Sequence, residues 1–271
     1  MKVIIICVNY NTYHELDGYL LSISNAAKEV KGLVEVTVAV ADNTPAELRK
    51  SFSVDYPHVI VLPYILERND GYLGSAEVVM SDLRKSGRLA EYDYCVVSNV
   101  DLQLSKNFFQ ELHSTQIDEN IGWIAPEIYT QQLNRYENPF MTSRPSLKKM
   151  NYWITLYKYP ILFFIQSKLA KLAARKSTST TQSTIYAGHG SIMIFSKSFI
   201  THYAEGNFPS FMYGEEIYFA ELVLQNGLMA RYQPNIVVYN RGGVSTNLLG
   251  VKRKAKMNYD SLTALKKRFF E

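Results

Sequence analysis

The chain has two cysteines in 271 residues, Cys7 and Cys95. That scarcity excludes a disulfide-stapled scaffold. Both cysteines lie in apolar runs, so buried, reduced thiols and a cytoplasmic setting are expected. The apolar run Val3–Val8 is too short for a signal peptide and is followed by polar Asn9-Tyr10-Asn11. Carboxylates are missing from Asn138 to Ala204, a stretch with nine Lys or Arg. In its most apolar part the longest uncharged run is Tyr159–Ser167, broken by Pro160 and far short of the ~20 residues of a membrane span. There is no internal repeat, and no nucleic-acid-binding motif, so no nucleic-acid partner is expected.

The length suits one large domain or two tightly joined halves, and the composition, 47% hydrophobic and 20% charged, suits a folded chain with a sizeable core. The net charge of +4 hides an asymmetry. Residues 138–204 contribute +9, residues 251–271 contribute +5, and the remainder carries −10. An acidic body with two basic segments implies a specialised surface that meets something anionic.

Along the first hundred residues, strands alternate with helices. Val3–Val8, Glu35–Ala41, Val59–Leu62 and Tyr94–Ser98 read as buried strands. His14–Lys28, Pro45–Phe52 and Leu73–Ser86 read as helices between them. This order predicts right-handed βαβ units and an α/β fold, a Rossmann-like, mostly parallel mixed sheet flanked by helices. Ile121–Ala125, Ser191–Phe195 and Ile236–Tyr239 read as further strands, and Phe211–Gln225 as a helix entered through a Gly-containing turn. Ligands in such a sheet bind at the carboxyl ends of the strands. The segments that follow the strands therefore matter most: Asn9-Tyr10-Asn11, Asp42-Asn43-Thr44 and Asn99-Val100-Asp101.

Three groups there can carry chemistry. Asp42 suits either a turn cap or acceptance of a hydrogen bond from a nucleotide base. Asp101 suits either a loop cap or a grip on Mg²⁺ or Mn²⁺ against a diphosphate, since these ions take one or two carboxylates plus phosphate oxygens. Glu215-Glu216 is either a solvated acidic face or a source of a general base. His189, between Gly188 and Gly190, is a lesser candidate for close approach to a ligand.

In order, these elements resemble family 2 glycosyltransferases of the GT-A fold, in particular bacterial rhamnosyltransferase-like members. The resemblance rests on Val8-Asn9-Tyr10-Asn11 after the first strand and Asp42-Asn43 after the second. It continues with Asn69-Asp70-Gly71-Tyr72, with Gly74 just beyond, and with Asn99-Val100-Asp101 as the variant of the Asp-x-Asp metal motif. Phe211-Met212-Tyr213-Gly214-Glu215-Glu216 and Gly242-Gly243-Val244-Ser245-Thr246 complete it. Six motifs in the right order span roughly residues 1–250.

The resemblance implies a GT-A catalytic domain at 1–250, with a nucleotide-binding half at 1–101 and an acceptor half at 102–250. The acceptor half contains a basic aromatic segment at 138–184, and a basic tail follows at 251–271. It implies nucleotide contacts from Asn9, Asn11, Asp42, Asn69, Gly71 and Asn99. Asp101 would bind Mn²⁺ or Mg²⁺ and the diphosphate, with Asn240, by position alone, as a second metal candidate. Glu216 would be the catalytic base, with Glu215 beside it. The reaction implied is inverting transfer of a hexose or deoxyhexose from a UDP- or dTDP-linked donor. The acceptor would be a glycan or a polyprenyl-diphosphate-linked glycan of surface polysaccharide synthesis.

The sequence also departs from the family. Glu216 stands for the usual Asp, Asn240 for a His, Tyr218 for a common acid and Ala76 for a frequent Asn. A catalytically impaired nucleotide-sugar-binding relative is thus one alternative. A sugar nucleotidyltransferase is another, disfavoured because no Gly-rich basic loop follows the first strand.

Asn151–Lys176 interleaves Tyr152, Trp153, Tyr157, Tyr159, Phe163 and Phe164 with Lys158, Lys168, Lys171 and Arg175. This pattern suits either a core helix pair with a basic face or a segment lying at an anionic membrane surface, with Trp153, Phe163 and Phe164 inserting. The second reading places the protein peripherally on the inner face of the cell membrane.

Overall fold

A computed structural model describes residues 1–115, 117–172, 181–203, 206–240 and 250–271. The Gly242-Gly243-Val244-Ser245-Thr246 motif, Arg175 and the first half of the Ser/Thr-rich stretch after Lys176 lie outside the described residues.

The first half builds the sheet expected from its alternation. Strands β1 (Lys2–Asn9), β2 (Glu35–Asp42), β3 (Val59–Ile65) and β4 (Tyr94–Asn99) pair in parallel in the order β3-β2-β1-β4. Helix α1 (Tyr13–Lys28) follows β1 and α2 (Gly71–Lys85) follows β3. Side chains alternate across a strand. In β1, Val3, Ile5 and Cys7 enter one hydrophobic core, and Ile4, Ile6 and Val8 enter the other. The sheet is therefore covered on both faces, and a continuous apolar run results. Cys95 lies in the core opposite to Cys7, and both thiols are free. Burial pushes each of them up to about 12, so they are inert.

Beyond β4 the sheet becomes mixed. After β5 (Leu102–Leu104) and α3 (Phe108–Ser114) come β6 (Ile121–Thr130) and the two-residue β7 (Arg135–Tyr136). Then follow α4 (Leu147–Lys158), α5 (Pro160–Leu172), β8 (Ser183–Ile185), β9 (Ile192–Ser196) and α6 (Lys197–His202). The chain closes with α7 (Glu215–Gln225), β10 (Met229–Asn240) and α8 (Val251–Phe269). The full order is β3-β2-β1-β4-β9-β6-β10-β5, with β7 on β6 and β8 on β10. Strand β9 runs antiparallel between β4 and β6, β10 is parallel to β6, and β5 is antiparallel to β10.

Several elements differ from expectation. Pro45–Phe52 holds only a 3₁₀ turn at Ala46–Leu48, because its side chains are mostly exposed and offer no apolar face to dock. The helix expected from Phe211 starts at Glu215, after Gly214 turns left-handed at φ +88°. The aromatic segment is two helices, parted at Tyr159-Pro160, since proline lacks the N–H that a continuous helix requires. Within it, Trp153 and Tyr157 pack against the core, and Phe163 stacks on Tyr157 at 5.1 Å. Ile161, Leu162, Phe164 and Ile165 are exposed instead, Ile161 at 75%. At 100° per residue these four share one face of α5, opposite Phe163. Among the described residues no helix is long and apolar enough to cross a membrane.

Candidate active site

The strand register brings the motifs to one edge. Asn9 pairs with Asp42, and Val8 with Asn99, so the β1, β2 and β4 tips lie side by side. On the far side Asn240 pairs with Leu102, the residue after Asp101. Between these tips and α7 opens a cleft of about 630 Å³. It is lined by Asn69, Gly71, Asn99, Asp101, Glu215, Glu216 and Asn240 of the expected set, and by His189. A second cavity of about 550 Å³ lies at the opposite, amino-terminal edge, beside Lys2, Lys31 and His58, and holds none of the motif residues.

Asn9, Asn11 and Asp42 have a different place from the one expected. Asp42 is fully buried and does not line the cleft. Its Oδ1 accepts from Asn9 Nδ2 (3.1 Å), Thr44 N (3.2 Å) and Thr44 Oγ1 (2.6 Å), and its Oδ2 from Tyr13 Oη (2.8 Å). Asn9 Oδ1 in turn accepts from Thr12 N and Oγ1. Asn11, left-handed at φ +53°, donates its N–H to Thr44 Oγ1. The carboxylate is thus taken up in tying two strand tips together, and the nearby Tyr10, Thr12 and Asn43 line the cleft in its stead.

Asn43 connects the β2 tip to the start of α2. Its Nδ2 donates to Asn69 Oδ1 (3.1 Å), Gly71 O (3.3 Å) and Ser75 Oγ (2.7 Å), while Asn69 Oδ1 also takes the Gly71 N–H (3.0 Å). Gly71 has φ +78°, and a Cβ there would lie 1.8 Å from the Phe211 carbonyl oxygen. Only glycine fits the conformation and the approach. The Asn-x-Gly motif therefore docks the Phe211 loop onto the β2 tip and the start of α2.

Asp101 is half-buried, and its Oδ1 is shielded from solvent with no hydrogen-bond partner. Burial pushes its carboxyl above the usual range; Glu15 adds to the rise and His189 opposes it. An orphaned buried carboxylate oxygen is costly unless a cation or donor meets it. Among the described residues no three His, Cys, Asp or Glu side chains gather as a metal cage. The donor set fits an ion that takes one carboxylate and otherwise water or ligand oxygens, as Mg²⁺ and Mn²⁺ do.

The facing wall carries the glutamates. Tyr213 at φ +68° and Gly214 at φ +88° form a left-handed pair just before α7. A bulky residue costs on the order of 1–2 kcal/mol in that region. The Tyr213 carbonyl is held by Ser261 Oγ from α8. Glu215 and Glu216 open α7, where the positive helix end favours acids. Burial and the neighbouring Glu216 charge nonetheless push the Glu215 carboxyl up to about 8. Glu216 Oε1 accepts the Gly190 N–H (3.2 Å), and Gly190 O accepts from Tyr72 Oη (3.0 Å). His189 gives its N–H to Asn138 Oδ1 (2.9 Å), and its Nδ1 accepts from Ser191 N (3.2 Å). The Gly-His-Gly segment is thus a bracket for the glutamates.

Behind this wall, Glu77 of α2 accepts from Tyr218 Oη (2.9 Å), Tyr203 Oη (3.2 Å) and Phe208 N (3.0 Å). Arg268 stacks over the Tyr218 ring at 5.2 Å and donates to Asn207 O. Tyr218 is therefore fully buried and braces the loop that leads to Phe211. Arg253 and Met257 of α8, which no motif marks, also line the cleft.

No family model and no curated protein matches the chain by sequence. Solved structures do resemble it. The structure of GalNAc-T7 with UDP, GalNAc and Mn²⁺ aligns with a TM-score of 0.56 at 15% identity, over 89% of this chain and 44% of that one. S. aureus TarS aligns with a TM-score of 0.51 at 12% identity, over 91% of this chain and 37% of that one. The chain thus spans less than half the length of either. Both neighbours are GT-A glycosyltransferases, and the chain has the GT-A fold.

Proposed function

We propose that the protein is an inverting glycosyltransferase that takes a hexose or deoxyhexose from a nucleoside-diphosphate sugar. The observation that carries this reading is one cleft with two unlike walls. On one wall Asp101 has a buried, unsatisfied oxygen; on the other, Glu215 and Glu216 stand together. The GT-A fold supports it, as do the UDP, sugar and Mn²⁺ bound by the GalNAc-T7 neighbour.

The donor diphosphate lies toward Asp101 and Asn99, and the acceptor hydroxyl toward Glu216. Glu216 takes the hydroxyl proton as general base. The acceptor oxygen bonds to the anomeric carbon from the face opposite the diphosphate. The bond from that carbon to the diphosphate oxygen breaks, its electron pair leaves with the diphosphate, and the configuration inverts. Asp101 would hold Mn²⁺ or Mg²⁺, which would supply neutralisation of charge on the leaving group. Burial and the Glu216 charge raise the Glu215 carboxyl, which disfavours a second full negative charge beside the base. Asn69, Gly71 and Asn99 shape the donor half, and the knot of Asn9, Asn11 and Asp42 fixes it from behind.

The acceptor proposed is a glycan or a polyprenyl-diphosphate-linked glycan of surface polysaccharide synthesis, met at the anionic inner face of the membrane. Support comes from the exposed apolar face of α5, with exposed Lys158 beside Tyr159 at its start. Tyr157 packs against Phe163 of α5 at 5.1 Å, and its phenol is raised by burial first and by the Glu216 charge second. The deciding experiment is to follow release of UDP or dTDP from their sugars with Mn²⁺ and a lipid-linked acceptor. Release by wild type and not by Glu216→Gln supports transfer. Tight donor binding without turnover would instead favour a binding protein.

A further inference from the structure

A nucleoside diphosphate is strongly anionic, yet the cleft it would enter is lined by three carboxylates, Asp101, Glu215 and Glu216. Among the described lining residues the one Lys or Arg is Arg253. From the structure we infer that Arg253 of α8 is a diphosphate-binding residue of this cleft, an inference that rests on the nucleotide-sugar reading above.

The position of Arg253 follows from how α8 is anchored. Residues 253, 257, 261 and 265 are four apart and share one flank of a helix. Leu265 and Ser261 press on Gly214: a Cβ at Gly214 would meet Ser261 Oγ at 2.4 Å and Leu265 Cδ1 at 2.6 Å. Ser261 also bonds the Tyr213 carbonyl. At the helix end, Arg144 donates to Phe269 O (2.9 Å), pairs with Glu221 of α7 (2.7 Å) and stacks on Phe270. With that end fixed on α7, the same flank carries Met257 and Arg253 into the cleft. Arg253 thus lines the cavity from the element that also sets the turn into Glu215. Its planar fork suits two phosphate oxygens at once, which a lysine does not match. The rest of the cleft offers a diphosphate no other Lys or Arg among the described residues, and Asn240 supplies no charge.

The test is the affinity of the full chain for UDP and dTDP, with and without Mn²⁺, by calorimetry, with uridine and thymidine as controls that lack the diphosphate. Arg253 is exposed, so Arg253→Gln and Arg253→Lys should keep the wild-type melting temperature. Arg253→Gln should weaken diphosphate binding about 10- to 100-fold, as expected for one charged hydrogen-bonding partner. Nucleoside binding should not change, and Arg253→Lys should recover part of the loss. Unchanged diphosphate affinity in Arg253→Gln, while wild type binds well, would overturn this inference and leave the glycosyltransferase reading standing. An equal loss for the nucleosides would make the residue structural and overturn it too. If wild type binds neither diphosphate, the functional reading falls and this inference with it.

Discussion

Gly190 and Glu216 are locked by a backbone bond and by the absence of a side chain. The Gly190 N–H donates to Glu216 Oε1 at 3.2 Å, and a Cβ at Gly190 would lie 2.9 Å from that same oxygen and 2.6 Å from Glu215 Cγ. Gly190→Ala is therefore expected to displace both glutamates while leaving the buried sheet alone. Turnover should fall at least about tenfold, as misplacing a base by a few tenths of an ångström does in the steep geometry of proton transfer. Nucleotide affinity should hold. Steady-state kinetics beside UDP calorimetry would check it; a parallel loss of both would count against the local effect.

Glu216→Gln keeps the Gly190 N–H bond, because the amide oxygen still accepts, but removes the base. Donor binding should survive and transfer should drop by roughly 10²–10⁴. If Glu215→Gln is the more damaging change, the assignment within the pair is reversed.

Asp101→Asn removes the charge that the orphaned oxygen offers a cation. The expected outcome is that Mn²⁺ no longer strengthens UDP or dTDP binding, while binding without metal is unchanged or slightly better. Calorimetric titrations with Mn²⁺ and with chelator distinguish the cases. Metal enhancement equal to wild type would take Asp101 out of the site.

The Glu215 carboxyl, raised to about 8, sets a pH dependence of stability. Its folded-state value exceeds its unfolded one, so the folded state holds an extra proton between about pH 4.5 and 8. The resulting stability is full at low pH and is lost as pH rises through that window. Glu215→Gln, which cannot ionise, should leave the melting temperature near wild type at pH 5 and raise it by a few °C at pH 8.5. A pH-independent difference would contradict the sign.

Ile161→Ser with Ile165→Ser changes two exposed residues on one face of α5. The double variant should keep its fold and bind vesicles containing anionic lipid markedly less well than wild type. Wild-type binding should also weaken at high salt, because screening shortens the reach of the lysines. Co-sedimentation at low and high salt reads both. Wild type that ignores anionic vesicles would remove the membrane from the reading, and a shift from dimer to monomer in the variant would assign the face to a second copy.

Residues next to strand ends were the legible part of the site. Asp101 and the Glu215-Glu216 pair stand out by position and composition, and Asn69, Gly71 and Asn99 through the motifs of the resemblance; all six line the cleft. Strand position was readable because burial on both faces leaves continuous apolar runs such as Val3–Val8. The place of Asp42 was not, since its donors Asn9, Tyr13 and Thr44 gather only once β1 and β2 pair. Arg253 was hidden for a similar reason: within Lys252-Arg253-Lys254 nothing marks the middle residue until Gly214 fixes the rotation of α8. The aromatic segment showed its composition but not its facing, and Pro160 alone signalled where it divides.

The bond from Tyr218 to Glu77 bears on how related sequences can vary. Where the glycosyltransferases that the sequence resembles commonly have an acid, this chain has Tyr218, whose hydroxyl is given to the Glu77 carboxylate at 2.9 Å. An acid restored at 218 would set two carboxylates together in a buried space that already raises the Glu77 carboxyl. The two positions should therefore covary. Relatives with an acid at the equivalent of 218 should lack one at the equivalent of 77, and a chimera that exchanges α7 without α2 should misfold where one exchanging both does not.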